Sequence, residues 1–212
     1  MEMLNRLIIH FRKLLSLLAF LCAQKESHSQ AKPFYNAYAS YNRTENFYVS
    51  HELGVNINKN IFSARYNYEA LKHLVAYYGY SFSKETKNYE YEITPMIGFV
   101  TDFDNTGNSL GLQGYYYSPK NKLYLYSQAF HINYFQKGVT SFFYNWSEAG
   151  YDIKKMFIVG GSYILTAEAG TNYLSYGPFL YKEVNKRVSF SAYLLSFWDK
   201  NEYYLIGVSY NF

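Results

Sequence analysis

Cysteine is nearly missing from this 212-residue chain: Cys22 stands alone, which excludes an internal disulfide framework. Charge is scarce as well. Asp, Glu, Lys and Arg make up 17% of the residues, against about 25% in a typical soluble protein. The net charge of +4 comes partly from the N-terminal region, and no dense Lys/Arg cluster follows residue 30, so nothing points to nucleic acid. A helical hydrophobic period of useful length is absent, and beyond residue 23 no apolar run is long enough to cross a membrane as a helix. The chain also lacks a glycine-rich phosphate loop, a Cys or His pair at metal spacing and a nucleophile elbow. No cofactor and no metal are expected.

Aromatic residues are what the chain has in excess. Tyr numbers 27 and Phe 17, and aromatics reach 22%. The mean hydropathy is nevertheless only −0.28. High aromatic content without overall hydrophobicity fits strands whose apolar and polar positions alternate and average out, as in a membrane barrel.

The N-terminus reads as targeting. Arg6, Arg12 and Lys13 precede an apolar run from Leu14 to Cys22, and the chain turns polar at Gln24. This is the n-region and h-region of a cleavable secretory signal, too short to span as a helix. Cleavage after Ala23 or later, near Ser29 or Ala31, is compatible with it. A lipoprotein reading, with Cys22 lipidated, fits less well because Leu21 sits where a small residue is expected. The domain reading is a signal and short leader over residues 1–31 and one barrel domain over 32–212.

After Pro33 the chain divides into twelve strand-like segments: 34–42, 46–57, 61–69, 73–84, 89–101, 107–118, 121–133, 140–151, 156–168, 172–182, 187–198 and 203–212. Each has the length of a tilted membrane strand, about 9 to 13 residues, and exceeds the usual soluble strand of about 5 to 6. Short turn signals separate them, among them Asn58-Lys59-Asn60, Asp104-Asn105-Thr106-Gly107 and Ser118-Pro119-Lys120-Asn121. Connections this short imply antiparallel hairpins in sequence.

Successive side chains of a strand point to opposite faces. Phe62, Ala64, Tyr66 and Tyr68 oppose Ser63, Arg65, Asn67 and Glu69. Tyr91, Ile93, Pro95, Ile97 and Phe99 oppose Glu90, Glu92, Thr94, Met96 and Gly98. Leu110, Leu112 and Tyr116 oppose Ser109, Gly111, Gln113 and Tyr115. The stretch 142–151 is ambiguous, because Trp146 and Glu148 fall on the same side. The last strand sets Tyr204, Ile206, Val208, Tyr210 and Phe212 on one wholly apolar or aromatic face.

With that terminus in view, the chain resembles a Gram-negative outer-membrane β-barrel protein over everything from about Pro33 onward, plus the signal. In that class the closing strand ends in an aromatic preceded by alternating apolar residues, here Phe212, Tyr210, Val208 and Ile206. The resemblance implies that this terminus is read by the barrel-assembly machinery. The fold expected is all-β, a single antiparallel up-and-down transmembrane barrel of about twelve strands, with ten as the alternative, set in outer-membrane lipid. An even strand number puts both termini in the periplasm, with the turns at 58–59, 119–120 and 185–186 beside them and 104–105 and 199–200 outside.

No specific functional family is carried by these residues. Charges on the polar faces are the best candidates, and Glu52, Arg65, Asn67, Glu69, Glu90, Glu92, Gln113 and Tyr115 would line the lumen. Arg65 is expected to pair with Glu52 and with Glu90 or Glu92, since an unpaired buried charge is costly. The leading function is a small pore or binding channel for small polar solutes. The rival is a non-conducting structural or interaction barrel, and a lipid-modifying enzyme stands third. Ser50 beside His51 is no catalytic pair, because neighbours on a strand face opposite ways.

Overall fold

The computed structural model describes residues 31–42, 46–67, 72–102, 104–154, 156–198 and 202–212. The signal region, Glu69 and the turn at 199–200 lie outside the described residues. Thirteen strand segments follow one another: β1 (Ala31–Asn42), β2 (Asn46–Ile57), β3 (Asn60–Tyr66), β4 (Leu74–Tyr80), β5 (Phe82–Glu85), β6 (Glu90–Thr101), β7 (Thr106–Ser118), β8 (Leu123–Tyr134), β9 (Phe142–Ile153), β10 (Phe157–Glu168), β11 (Thr171–Glu183), β12 (Val188–Leu195) and β13 (Tyr203–Asn211).

β4 and β5 are one strand of the barrel with an interruption. Both pair with β6, and the register runs unchanged from Gly79↔Met96 to Phe82↔Ile93. That register sets Tyr80 opposite Pro95, which has no N–H to give to the ladder. Ser81 turns its own N–H to the other side, onto the carbonyl of Lys59 at 2.7 Å. Counted this way the sheet has twelve strands, the number read from the sequence.

The sheet closes on itself. Each strand pairs antiparallel with the next, and β1 pairs with β13 from Phe34↔Asn211 to Asn42↔Tyr203. Closure leaves no edge, so every strand has a partner on both sides, which hydrocarbon surroundings require. Tight turns help to set the hairpins. Asn58 takes a left-handed backbone (φ 56) in the two-residue connection from β2 to β3. The Asp102 carboxylate accepts the backbone N–H groups of Asp104 and Asn105, at 3.1 and 2.6 Å.

The turns at 58–59, 119–120 and 185–186 share one end of the barrel with Phe212, here called the near end. The connection at 102–105 lies at the opposite, far end.

The apolar stripes face outward. Phe62, Ile97, Phe99, Leu110, Leu112, Phe190 and Ile206 are all exposed, Ile206 at 61%. Aromatic side chains gather at both ends of this band. Tyr41 lies 6.3 Å from Tyr204, and Tyr176 4.6 Å from Trp198, at the far end; Tyr210 and Phe212 pack edge to face at the near end. An apolar exterior between aromatic belts is what a lipid bilayer demands of a barrel. Polar groups on this face are paired with each other: His51 Nδ1 meets the Tyr35 hydroxyl at 2.7 Å, and Ser127 meets Ser147 at 2.8 Å.

Candidate functional site: a lumen of two halves

The inward faces of the strands build an interior whose far half is solid. Val75, Val100, Phe130, Ile132, Phe142, Leu195, Tyr203 and Leu205 are buried there in one cluster, Val100 and Leu195 with no exposure at all. Glycines on the wall let the rings lie against it. A Cβ on Gly111 would overlap the ring of Phe130, and one on Gly98 the ring of Tyr77.

Arg65 occupies the middle of the lumen and is 4% exposed. Its Nε donates to Glu52 Oε1 at 2.8 Å, across the β2–β3 pair in which the two residues stand opposite each other. Its NH1 group donates to Gln128 Oε1 at 3.1 Å. The guanidinium lies over two rings, 4.6 Å from the centre of Phe130 and 5.2 Å from that of Tyr77. Ring faces and a carboxylate together compensate the desolvation of a buried cation. Gln128 is a partner that the sequence did not single out. Glu90 accepts from the Tyr115 hydroxyl at 2.5 Å, and Glu92 from the Thr94 hydroxyl at 3.1 Å.

A second network sits on β9. Trp146 and Glu148, ambiguous in the sequence, both face inward. Glu148 Oε1 accepts from Trp146 Nε1 at 2.9 Å and from the Tyr193 hydroxyl at 2.8 Å, and its Oε2 from the Tyr124 hydroxyl at 3.0 Å. Tyr38 and Tyr193 pack edgewise on the indole, at 5.3 and 5.1 Å. Sequence reasoning missed this group, although the same-side placement of Trp146 and Glu148 was its signal.

The near half is open. A cavity of about 760 Å³ is lined by Glu90, Glu92, Asp152 and Glu183, by Gln113, and by Tyr115, Tyr117, Tyr124, Tyr126 and Tyr181, with Met156, Phe157, Ile158 and Asn211 completing the wall. The Tyr117 hydroxyl donates to Asp152 at 2.5 Å. Among the sequence candidates, Glu90, Glu92, Gln113 and Tyr115 therefore meet in this vestibule, while Glu52 and Arg65 lie deeper.

Asn67 belongs to neither group. β3 ends at Tyr66, and Asn67 takes a left-handed backbone (φ 57), which stops the inward–outward alternation before it reaches this residue. Its amide donates to the carbonyl of Val49 at 2.9 Å and its carbonyl accepts the N–H of Lys72 at 3.2 Å, so the side chain serves the turn.

At the far end His73 caps the packed half. It is buried against Phe142, with ring centres 5.8 Å apart, and its Nδ1 has no hydrogen-bond partner. Burial lowers its pKa from 6.5 to about 4, against a smaller opposing pull from Asp102.

Solved structures carry this architecture. The KdgM porin superposes with a TM-score of 0.53 at 14% identity, over 84% of this chain and 99% of that one. The KdgM porin in complex with disordered oligogalacturonate gives 0.50 at 15%, over 85% and 99%. The fold is that of an outer-membrane porin-like barrel. The Acinetobacter baumannii outer membrane protein Omp33 aligns at a TM-score of 0.45 and 10% identity, over 88% of this chain and all of that one. No family model and no curated protein sequence matches the chain.

Proposed function

We propose that this protein is an integral outer-membrane barrel that admits small polar solutes to its lumen, exported by the N-terminal signal of a Gram-negative cell. The observation that carries the reading is the vestibule, a polar space of about 760 Å³ inside a barrel whose outside suits lipid. Its size falls within the range of about 300 to 1,000 Å³ in which small-molecule sites occur. The fold shared with the KdgM porin supports the membrane setting.

A specific observation favours the rival reading, a non-conducting structural or interaction barrel. The far half of the lumen is packed with side chains, and a continuous path has to displace some of them. The two readings separate in planar bilayers. Discrete conductance steps from the reconstituted protein support the channel, with larger steps when Phe130 and Phe142 are replaced by Ala. Silence from both the native chain and the double variant refutes it.

A further inference from the structure

The vestibule's chemistry narrows the solute class, an inference that rests on the proposed solute-binding lumen. Four carboxylates and five tyrosines line the cavity, and among its described lining residues there is no Lys, Arg or His. The carboxylates are spread around the wall. They come from β6 (Glu90 and Glu92), β9 (Asp152) and β11 (Glu183). No three acidic or histidine side chains converge into a metal site among the described residues.

Ring faces and dispersed negative charge attract the same kind of ligand. A cation held over an aromatic face is drawn by the ring quadrupole, and a carboxylate within the same pocket adds a charge-assisted contact. Tyr115 and Tyr124 meet edge to face with centres 5.9 Å apart, and Tyr124 stacks on Tyr181 at 6.5 Å, so aromatic surface is continuous across β7, β8 and β11. The apolar side chains of Phe157 and Ile158 complete a wall suited to carbon as well as charge. Carboxylates from three strands oppose an anion there, and none of the described lining residues is cationic, which is a strong element against it.

We infer that the vestibule binds small organic cations, such as quaternary or primary ammonium compounds, and discriminates against acidic sugars. This is opposite in charge to the oligogalacturonate held in the KdgM complex. The Lys and Arg residues exposed on the near-end turns, Lys59, Lys87, Lys120, Lys186 and Arg187 among them, act in the other direction. They stand in solvent, where salt screens their field within about 8 Å at physiological ionic strength. The vestibule wall acts at contact.

The test is calorimetric titration of the full barrel, refolded in detergent, with choline chloride, sodium galacturonate and glucose as separate probes. Saturable choline binding is expected, with galacturonate at least tenfold weaker. The E90Q/E92Q double variant should bind choline at least tenfold more weakly, while its heat-modifiable mobility remains native. Tyr115→Phe, which keeps the ring and loses only the hydroxyl, should still bind choline. Galacturonate binding equal to or tighter than choline overturns the inference, as do absence of saturable choline binding and equal choline affinity in E90Q/E92Q. Because the measurement needs no conduction, bilayer silence with saturable choline binding refutes only the channel reading. Conductance steps without choline binding refute only this inference.

Discussion

The two halves of the lumen are built by the same strands with opposite chemistry. On β6 the inward positions run Glu90, Glu92 and Thr94 at the near end, then Met96 and Val100 at the far end. On β8 they run Tyr124, Tyr126 and Gln128, then Phe130 and Ile132. The pleat decides only that these side chains point inward. What they do there depends on depth. The far half buries apolar surface as a soluble core does, leaving a pocket of only about 20 Å³ among its side chains. The near half keeps its carboxylates and hydroxyls around a space large enough for a solute. A residue removed from the first should cost far more than one removed from the second, and the Arg65 layer between them should cost the most.

The largest effect is therefore expected at Arg65. Arg65→Leu removes the cation from a buried Glu52, and stripping one partner from a buried pair costs about 3 to 5 kcal/mol. Urea unfolding of the barrel folded into lipid vesicles measures this. The R65L/E52Q double variant should recover part of the loss. A wet mid-lumen would instead give a small loss and a shifted ion selectivity.

Leu195→Ala tests the packed half directly. Leu195 is fully buried at the far end of β12, and truncating a buried Leu costs about 2 to 5 kcal/mol. The same urea series reads the loss. A cost below about 1 kcal/mol would mean that the far half is loose, and the contrast between the halves would fail.

Acid should weaken the far end before the near end. His73 is neutral in the fold, with its pKa lowered by burial from 6.5 to about 4. Between these values the unfolded chain binds a proton that the fold does not, so stability is full above pH 6.5 and falls as pH drops towards 4. Hydrogen bonds from Asn105, its side chain and its N–H, together with the N–H of Asp104, outweigh burial and lower the pKa of Asp102, which acts in the same direction at still lower pH. The His73 contribution is at most about 3 kcal/mol. Unfolding midpoints at pH 7.5 and 5 should differ in the native chain and converge in His73→Phe.

The strands and their faces were readable in the sequence, while the contrast between the halves was not. The twelve strands appear within about three residues of the segments drawn, and the outward faces of β3, β6, β7 and β13 carry the residues assigned to them, apart from Tyr68, which lies outside the described residues. Alternation is a local property, so one strand suffices to reveal it. The interruption at Ser81 depends on Pro95 of the neighbouring strand, set opposite Tyr80 by the pairing register, and it was not foreseen. Gln128 as the second partner of Arg65 was also missed, because it lies on β8 across the lumen, 63 positions along the chain. Alternation tells which side chains enter the lumen and says nothing of how far they reach, so a filled far half and an open near half looked alike.

At the near end, Phe212 is 65% exposed, on the outer face beside Tyr210. A fully buried aromatic truncated to Ala costs about 3 to 5 kcal/mol, and an exposed one less. Deleting Phe212 should leave the barrel able to close in detergent, with heat-modifiable mobility retained. If the terminus is the address that its resemblance implies, the folded protein in the outer membrane should fall strongly. Poor folding in detergent would give Phe212 a packing role, and unchanged membrane levels would remove the address.

The smallest effect is expected inside the vestibule. Glu92 accepts a hydrogen bond from Thr94 and borders the open cavity. Glu92→Gln keeps the shape and an acceptor oxygen while removing the charge. Substitutions at solvated positions usually change stability by no more than about 0.5 kcal/mol. The urea midpoint of E92Q should therefore match that of the native chain, in contrast to Arg65→Leu only a short way deeper. If E92Q loses 2 kcal/mol or more on this scale of comparison, its carboxylate is part of the buried charge network, and the division between a solid and an open half moves towards the near end. A gain in stability would carry a different meaning. It would show the four vestibule carboxylates repelling one another across the cavity, a strain that a bound cation relieves.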